Sequence, residues 1–221
     1  MYLEIGSKRV FAGALEWPGW CRSARDEEAA LEAVAAYGRR YRTALRTAAR
    51  GLKPPDDTSA FKVVERLRGD ATTDFGAPSK APSIDDRKLT ESEAKRQATL
   101  LRASWAAFDR TAEGARDRTL RKGPRGGGRD LDAIVQHVMD ADQAYLAKLG
   151  GRYRKPTTAT SSQMTTLRKD LVDLFLSRGR GEPPPRIPRS GSLWSPRYFV
   201  RRSAWHALDH AWEIEDRAES T

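Results

Sequence analysis

The stretch RRSAWHALDHAWEIEDR, residues 201–217, carries the pattern from which the fold can be worked out. It is amphipathic, and it predicts a helix over about residues 196–217. His206 and His210 are four residues apart, so both side chains project from one face of that helix. The stretch therefore predicts a packed helix that presents two imidazoles to its neighbours.

Three further amphipathic helices are predicted upstream, at about 90–120, 130–149 and 160–177. Thr90 and Glu93 have the spacing of a capping box at the start of the first, and Asp130 is placed to cap the second. Loops rich in Gly or Pro, at 122–128 and 180–192, separate the helices. Four helices of this length favour a four-helix bundle, which we assign to residues 88–221.

The sequence predicts short strands around one helix in the first 70 residues. Strands are predicted at 2–6, 10–16, 20–22 and 61–68, with a helix from Ser23 or Asp26 to about Arg50. The expected unit, residues 1–70, is thus a small βββαβ module. Residues 71–87 are rich in turn-forming residues and are predicted to be a loosely packed linker. The predicted fold class is α+β, mainly α.

Composition excludes several classes of protein. The chain has 221 residues, of which 38% are hydrophobic and 32% are charged, and no apolar run is long enough for a spanning helix, so no membrane partner is expected. Cys21 is the only cysteine, and residues 1–5 do not resemble a secretion signal, so a cytoplasmic location is expected. The formal charge of +10 permits a nucleic-acid partner, but basic residues spread over many helices predict no concentrated footprint.

The chain has three histidines, and the third, His137, lies in the middle of the predicted helix at 130–149. Its neighbours Ile134, Val138 and Ala141 are apolar, so the ring should face the bundle interior or its rim. Two imidazoles from one helix and one from another can hold a divalent ion and leave a coordination position open. Zinc is the expected ion, with nickel, manganese or iron as alternatives; the other interpretation is three ordinary histidines.

Residues beside the histidine pair each have more than one possible role. Glu213 shares the face of His210 and can serve as a general base or can orient an imidazole by accepting its other N–H. Arg202 can bind a substrate carboxylate or lie in a solvated helix start, and Trp205 can line a substrate pocket or belong to the core. We predict Glu213 as catalytic and Arg202 and Trp205 as substrate-binding. Two other carboxylates, Asp140 and Asp209, have three possible roles: to bind the metal directly, to orient an imidazole, or to lie at the surface.

Two stretches, GGRDLDAIVQHVMDADQAYLAKLG (127–150) and RRSAWHALDHAWEIEDR (201–217), resemble the DinB/YfiT-like superfamily, and the resemblance covers about residues 88–217. It implies a four-helix bundle with a metal held by His137, His206 and His210. It also implies hydrolysis of a small-molecule substrate, or transfer of a low-molecular-weight thiol such as mycothiol or bacillithiol. In either case the nucleophile is a water or a thiolate activated by the metal. Members of the family often dimerise, so a homodimer is an expected assembly.

The N-terminal stretches VFAGALEWPGW (10–20) and DEEAALEAV (26–34) resemble the HicB-like antitoxin fold. The module contains no catalytic set of carboxylates or histidines, so we expect it to pack on the bundle or to form a dimer edge. The resemblance leaves a second interpretation open. In it, the chain is a non-catalytic binding or regulatory protein that contacts nucleic acid or a protein partner.

Overall fold

The computed structural model describes residues 1–122, 128–152, 159–187 and 192–219. The predicted fold class is confirmed: the protein is α+β and mainly helical, with 58% helix, 9% strand, an N-terminal four-stranded sheet and C-terminal helices. Most of the predicted loop at 122–128, and part of the extended stretch at 180–192, lie outside the described residues. Across the described ranges, no helix combines the length and apolarity needed to cross a bilayer.

The sheet follows the predicted βββαβ order. β1 (Tyr2–Ile5), β2 (Val10–Gly13) and β3 (Cys21–Ala24) are consecutive antiparallel strands, and β4 (Glu65–Arg68) pairs in parallel with β1 at the edge. The crossover to β4 includes α1 (Glu27–Leu45), which packs on β2 and β3.

Several predicted boundaries are too wide. β2 ends at Gly13 because the chain turns back there, and the N–H of Ala14 donates to the carbonyl of Trp20. β4 begins at Glu65 rather than at 61, because its partner strand β1 begins at Tyr2, which lies opposite Glu65. α1 ends at Leu45 and continues as a 3₁₀ turn over residues 46–49, because Arg46 has a φ of 52° that breaks the α-helical repeat.

The segment 71–87, predicted to be a loosely packed linker, instead packs on the sheet. It contains α2 (Ala71–Phe75) and a 3₁₀ turn (Ser83–Asp86). The carboxylate of Glu4 on β1 is buried and accepts a hydrogen bond of 2.9 Å from the backbone N–H of Ser79. The prediction of loose packing is therefore wrong, because this segment supplies the donors that a buried carboxylate requires.

The C-terminal helices of the described chain surround one apolar core. Thr90 and Glu93 form the predicted capping box, and Asp130 accepts a hydrogen bond from the backbone of Ala133 at the second helix start. Leu101, Ile134, Leu171 and Phe199 are fully buried members of that core. The helices are α3 (Glu91–Gly114), α4 (Leu131–Lys148), α5 (Ser161–Gly179) and α6 (Pro196–Arg217).

A second core joins α3 and α6 to the N-terminal unit. Leu100 from α3 and Leu208 and Trp212 from α6 pack in one cluster with Leu3 of β1 and Val34 of α1. Apolar burial on this scale is the dominant favourable contribution to folding, so the two units stabilise each other.

Two buried side chains reinforce this junction. The Arg201 guanidinium of α6 binds the buried Asp85 carboxylate through two hydrogen bonds of 2.6 and 3.0 Å, and it also donates to the Ala14 carbonyl. Cys21 of β3 packs against Phe11 and Trp205, and burial raises the pKa of its thiol to about 12. α6 is thus held on one side by the N-terminal unit.

Candidate metal centre

The three histidines meet where α4 and α6 pack together. The Nε2 atoms of His137 and His206 are 3.2 Å apart, and one ligand atom from each of the three rings lies within 4.8 Å of the others. The ring centroid of His210 lies 4.9 Å from that of His137 and 4.6 Å from that of His206. The structure therefore brings together the three rings that the sequence spacing singled out.

The residue types of the donor set, and the spacing of one pair in it, fit a divalent ion. Two imidazole nitrogens bound tetrahedrally to zinc, at about 2.0–2.1 Å each, are separated by about 3.4 Å, which is close to the distance between His137 and His206. Burial lowers the pKa of His137 to about 4 and that of His206 well below the ordinary value, and the nearby His210 lowers both further. Both rings are therefore neutral at pH 7, which is the form that binds a metal.

The Glu213 carboxylate binds the Nδ1 atom of the His210 ring. Its Oε2 lies 2.8 Å from Nδ1 of His210, and its other oxygen accepts a hydrogen bond from Arg217. Nδ1 of His210 then carries the proton, so its Nε2 is free for a metal. The hydrogen bond with His210 also lowers the pKa of Glu213, which makes the carboxylate a weaker base. Of its two possible roles, these contacts favour orientation of His210 over general-base catalysis.

The other two carboxylates bind side chains outside the cluster. Asp140 accepts a hydrogen bond of 2.7 Å from the amide of Gln136. Asp209 accepts one of 2.9 Å from Arg22 of β3, so it connects α6 to the sheet. In the part of the chain that the structure describes, neither carboxylate bonds to a histidine ring.

Arg202 precedes His206 by one helical turn. Its guanidinium carbon lies 4.5 Å from the ring centroid of Trp205, and its Nη1 is buried without a hydrogen-bond partner among the described residues. A buried guanidinium N–H without a partner costs desolvation free energy, and an anion bound beside it would supply the missing acceptor. Trp205 itself is buried with its ring edge-on to Phe11, at 6.3 Å between centroids, which favours its core role over a pocket wall.

Aromatic rings form one side of the cluster. Tyr145 lies 5.8 Å from the His206 ring and 5.0 Å from the ring of Trp194, and Trp194 lies 4.9 Å from Tyr198. Trp194 carries no periodic signal in the sequence, because it precedes the N-cap of α6. The backbone N–H of Trp194 donates to the carbonyl of Lys148, which fixes the residue beside the end of α4.

We compared the chain with protein-family models, with curated proteins and with solved structures, and none of them matches it. The geometry of the histidine cluster is therefore the basis on which a function can be assigned.

Proposed function

We propose that the chain is a metal-dependent enzyme of the DinB-like type, which hydrolyses a small molecule or transfers a low-molecular-weight thiol of the mycothiol or bacillithiol kind. The observation that carries this proposal is the convergence of His137, His206 and His210 from two helices. A divalent ion bound there, for which zinc is the first candidate, would supply a nucleophile at neutral pH by lowering the pKa of a coordinated water or thiol.

The protein's own contribution begins with the ligands. The neutral rings of His137 and His206 offer lone pairs, and Glu213 holds His210 in the tautomer that leaves Nε2 free. Arg217 donates to Glu213 and keeps that carboxylate in place. In this proposal Glu213 is a positioning residue, and the proton acceptor is not assigned to it.

Substrate selection follows from the side chains around the rings. Arg202 presents an unpaired donor next to the cluster, and a carboxylate is a suitable acceptor for a guanidinium. Tyr145 and Trp194 add an apolar surface on the side of His206. We therefore propose a substrate that combines a carboxylate with an apolar part.

Metal analysis tests this proposal. Purified protein is dialysed against zinc, nickel, manganese and iron separately, and bound metal is measured by mass spectrometry. We expect about one equivalent of zinc per chain and a loss of most of it in His206→Ala, because a site with two remaining imidazoles is much weaker. Asp140→Asn, on the same helix as His137 but bonded to Gln136, is the matched control and should retain the metal.

Circular dichroism of each metal-free variant separates loss of the site from loss of the fold. The proposal fails if the wild-type protein binds none of the four metals. It also fails if His137→Ala, His206→Ala and His210→Ala all remain folded and retain the wild-type metal content.

A further inference from the structure

An open groove lies at the C-terminal end of α1, on residues that the histidine cluster does not use. Its volume is about 740 Å³, and among the described residues that line it there is no carboxylate. We refer to it as the cationic groove, because five basic side chains line it: Arg39, Arg42, Arg46, Arg50 and Lys53.

Most of these charges are not neutralised within the protein. Arg39 pairs with Asp56 at 3.0 Å, but both side chains are more than 80% exposed, so the pair is weak. The other four cations of the groove have no ion pair within the described ranges. By contrast, the adjacent Arg40 binds both Glu215 and Asp216. The groove therefore concentrates positive charge that its own lining residues do not compensate.

Two features of the fold beside the groove are energetically unfavourable: the backbone conformation of Arg46, and the position of Arg110 near the like charge of Arg46. Arg46, with its φ of 52°, is the one non-glycine residue with positive φ in the part of the chain that the structure describes. Arg110 of α3 donates to the carbonyl of Ala44, and burial together with the charge of Arg46 lowers its pKa. Backbone strain of this kind is concentrated at functional sites, which makes the groove a candidate for one.

The kind of anion follows from spacing and composition. Arg39, Arg42 and Arg46 follow one another at three and four residues, which corresponds to about 4.5–6 Å along a helix axis. Thr43 and Thr47 also line the groove, and Arg, Lys and Thr are side chains that contact the phosphates of nucleic acids. Among the described residues lining it there is no aromatic ring to stack on bases and no large aliphatic side chain to enter a membrane.

We propose that the cationic groove binds the phosphate backbone of double-stranded nucleic acid without reading its sequence. The sequence pattern predicted no concentrated footprint, since the basic residues are spread along the chain. The end of α1 and its 3₁₀ turn nevertheless gather five of them in one place. This proposal does not depend on a metal at the histidine cluster.

Salt-dependent binding tests it. The full chain is titrated onto fluorescent DNA duplexes of about 20 base pairs with two unrelated sequences, between about 50 and 200 mM salt. We expect equal affinity for both duplexes, and a slope of log K against log salt of about −2.7 to −4.5, as three to five phosphate contacts produce. The groove variant Arg42→Gln/Arg50→Gln/Lys53→Gln should bind at least tenfold more weakly at about 50 mM salt, and its slope should be smaller by about 2.7.

The control variant loses the same charge elsewhere. Arg68→Gln/Lys88→Gln/Arg118→Gln changes three exposed cations outside the groove and should keep the wild-type slope. If the groove variant does not fold by circular dichroism, Arg42→Gln/Lys53→Gln is used instead, with an expected slope change of about 1.8. His206→Ala should bind duplexes like the wild type, which keeps this test separate from that of the metal site.

Three results would overturn the proposal. They are absence of duplex binding at about 50 mM salt, equal losses in the groove and control variants, and tighter binding to vesicles containing about 30% phosphatidylserine than to the duplexes. The last result would identify the groove as a surface for anionic membranes.

Discussion

Glu213 determines how His210 can act, because its carboxylate is shared between that ring and Arg217. Replacing it in Glu213→Gln keeps the shape but removes the charge that favours the Nδ1–H tautomer. We expect the affinity for zinc to fall by about 10- to 100-fold, as is typical when the hydrogen-bond partner of a ligand histidine is lost. The dissociation constant is measured by competition with a chromophoric chelator.

Asp209→Asn provides the control, since this carboxylate lies on the same helix but binds Arg22. Its zinc affinity should remain within about threefold of the wild-type value. Unchanged zinc affinity in Glu213→Gln would restore the general-base interpretation of that residue.

Arg46 has a backbone conformation that favours glycine. We expect Arg46→Gly to raise the free energy of unfolding by about 1 kcal/mol, because relief of strain outweighs the added entropy of the unfolded chain, and to raise Tm by about 2–4 °C. Thermal unfolding followed by circular dichroism measures this change. Arg42→Gly lies within α1, where glycine costs about 1 kcal/mol, so it should lower Tm. Equal decreases in both variants would contradict the assignment of strain to Arg46.

The histidine cluster was predictable because the spacing of His206 and His210 fixes their common face, and the apolar neighbours of His137 turn it inward. The sequence offered two roles for Glu213 and could not decide between them, because the four-residue spacing to Arg217 does not show which side chains its carboxylate binds. Trp194 also escaped prediction, since an aromatic residue in an irregular segment is placed by tertiary contacts alone.

Helices were more predictable than the segments between them. Periodicity and capping residues such as Thr90 and Asp130 act locally, so the sequence carries their signal directly. The end of α1 depends on a 3₁₀ turn that local propensity does not specify, and the start of β4 depends on where its partner strand β1 begins. The packing of 71–87 depends on Glu4, which is far away in the sequence and whose burial no local pattern shows.

Asp142 of α4 is buried where that helix meets α5 and α6. Its carboxylate is 3.4 Å from the hydroxyl of Ser203 and 3.7 Å from Arg168, and burial raises its pKa to about 6 against an ordinary value of 3.8. The attraction of Arg168 offsets the burial only in part, because the contact is long, and the like charge of Asp109 raises the pKa further.

The sign of the pH dependence follows from proton binding. Between pH 3.8 and about pH 6, Asp142 keeps a proton in the native state that it has lost in the unfolded chain. The free energy of unfolding should therefore fall by up to about 3 kcal/mol as pH rises through this window, and should then level off. Urea unfolding of the wild type and Asp142→Asn across this pH range measures the effect, and the difference between the two cancels other titrating groups. A difference that is constant with pH would contradict the raised pKa.

The two cores share α3 and α6, which has consequences for the cooperativity of the molecule. The sequence suggested two units with boundaries near residues 70 and 88, because local patterns change there, but it did not show that Leu100, Leu208 and Trp212 face the N-terminal unit. We therefore expect one unfolding transition for the full chain.

Far-UV circular dichroism reports mostly the helices, and tryptophan fluorescence reports both units, so the two signals should give the same midpoint. Trp212→Ala, which empties a fully buried site in the shared core, should lower both midpoints together and cost about 3–5 kcal/mol. The matched surface control is Phe75→Ala, since this ring is 80% exposed and its loss should cost little. Two separated transitions in the wild type would show that the units unfold independently.

The position of Cys21 makes it a built-in chemical reporter. Its thiol is protonated at neutral pH and enclosed by Phe11 and Trp205, so it cannot react with alkylating reagents while the sheet stays on α6. Cys21 is the only cysteine of the chain, so all thiol modification occurs at this site. The rate of modification therefore reports the fraction of molecules in which the sheet has separated from α6, and no label has to be introduced.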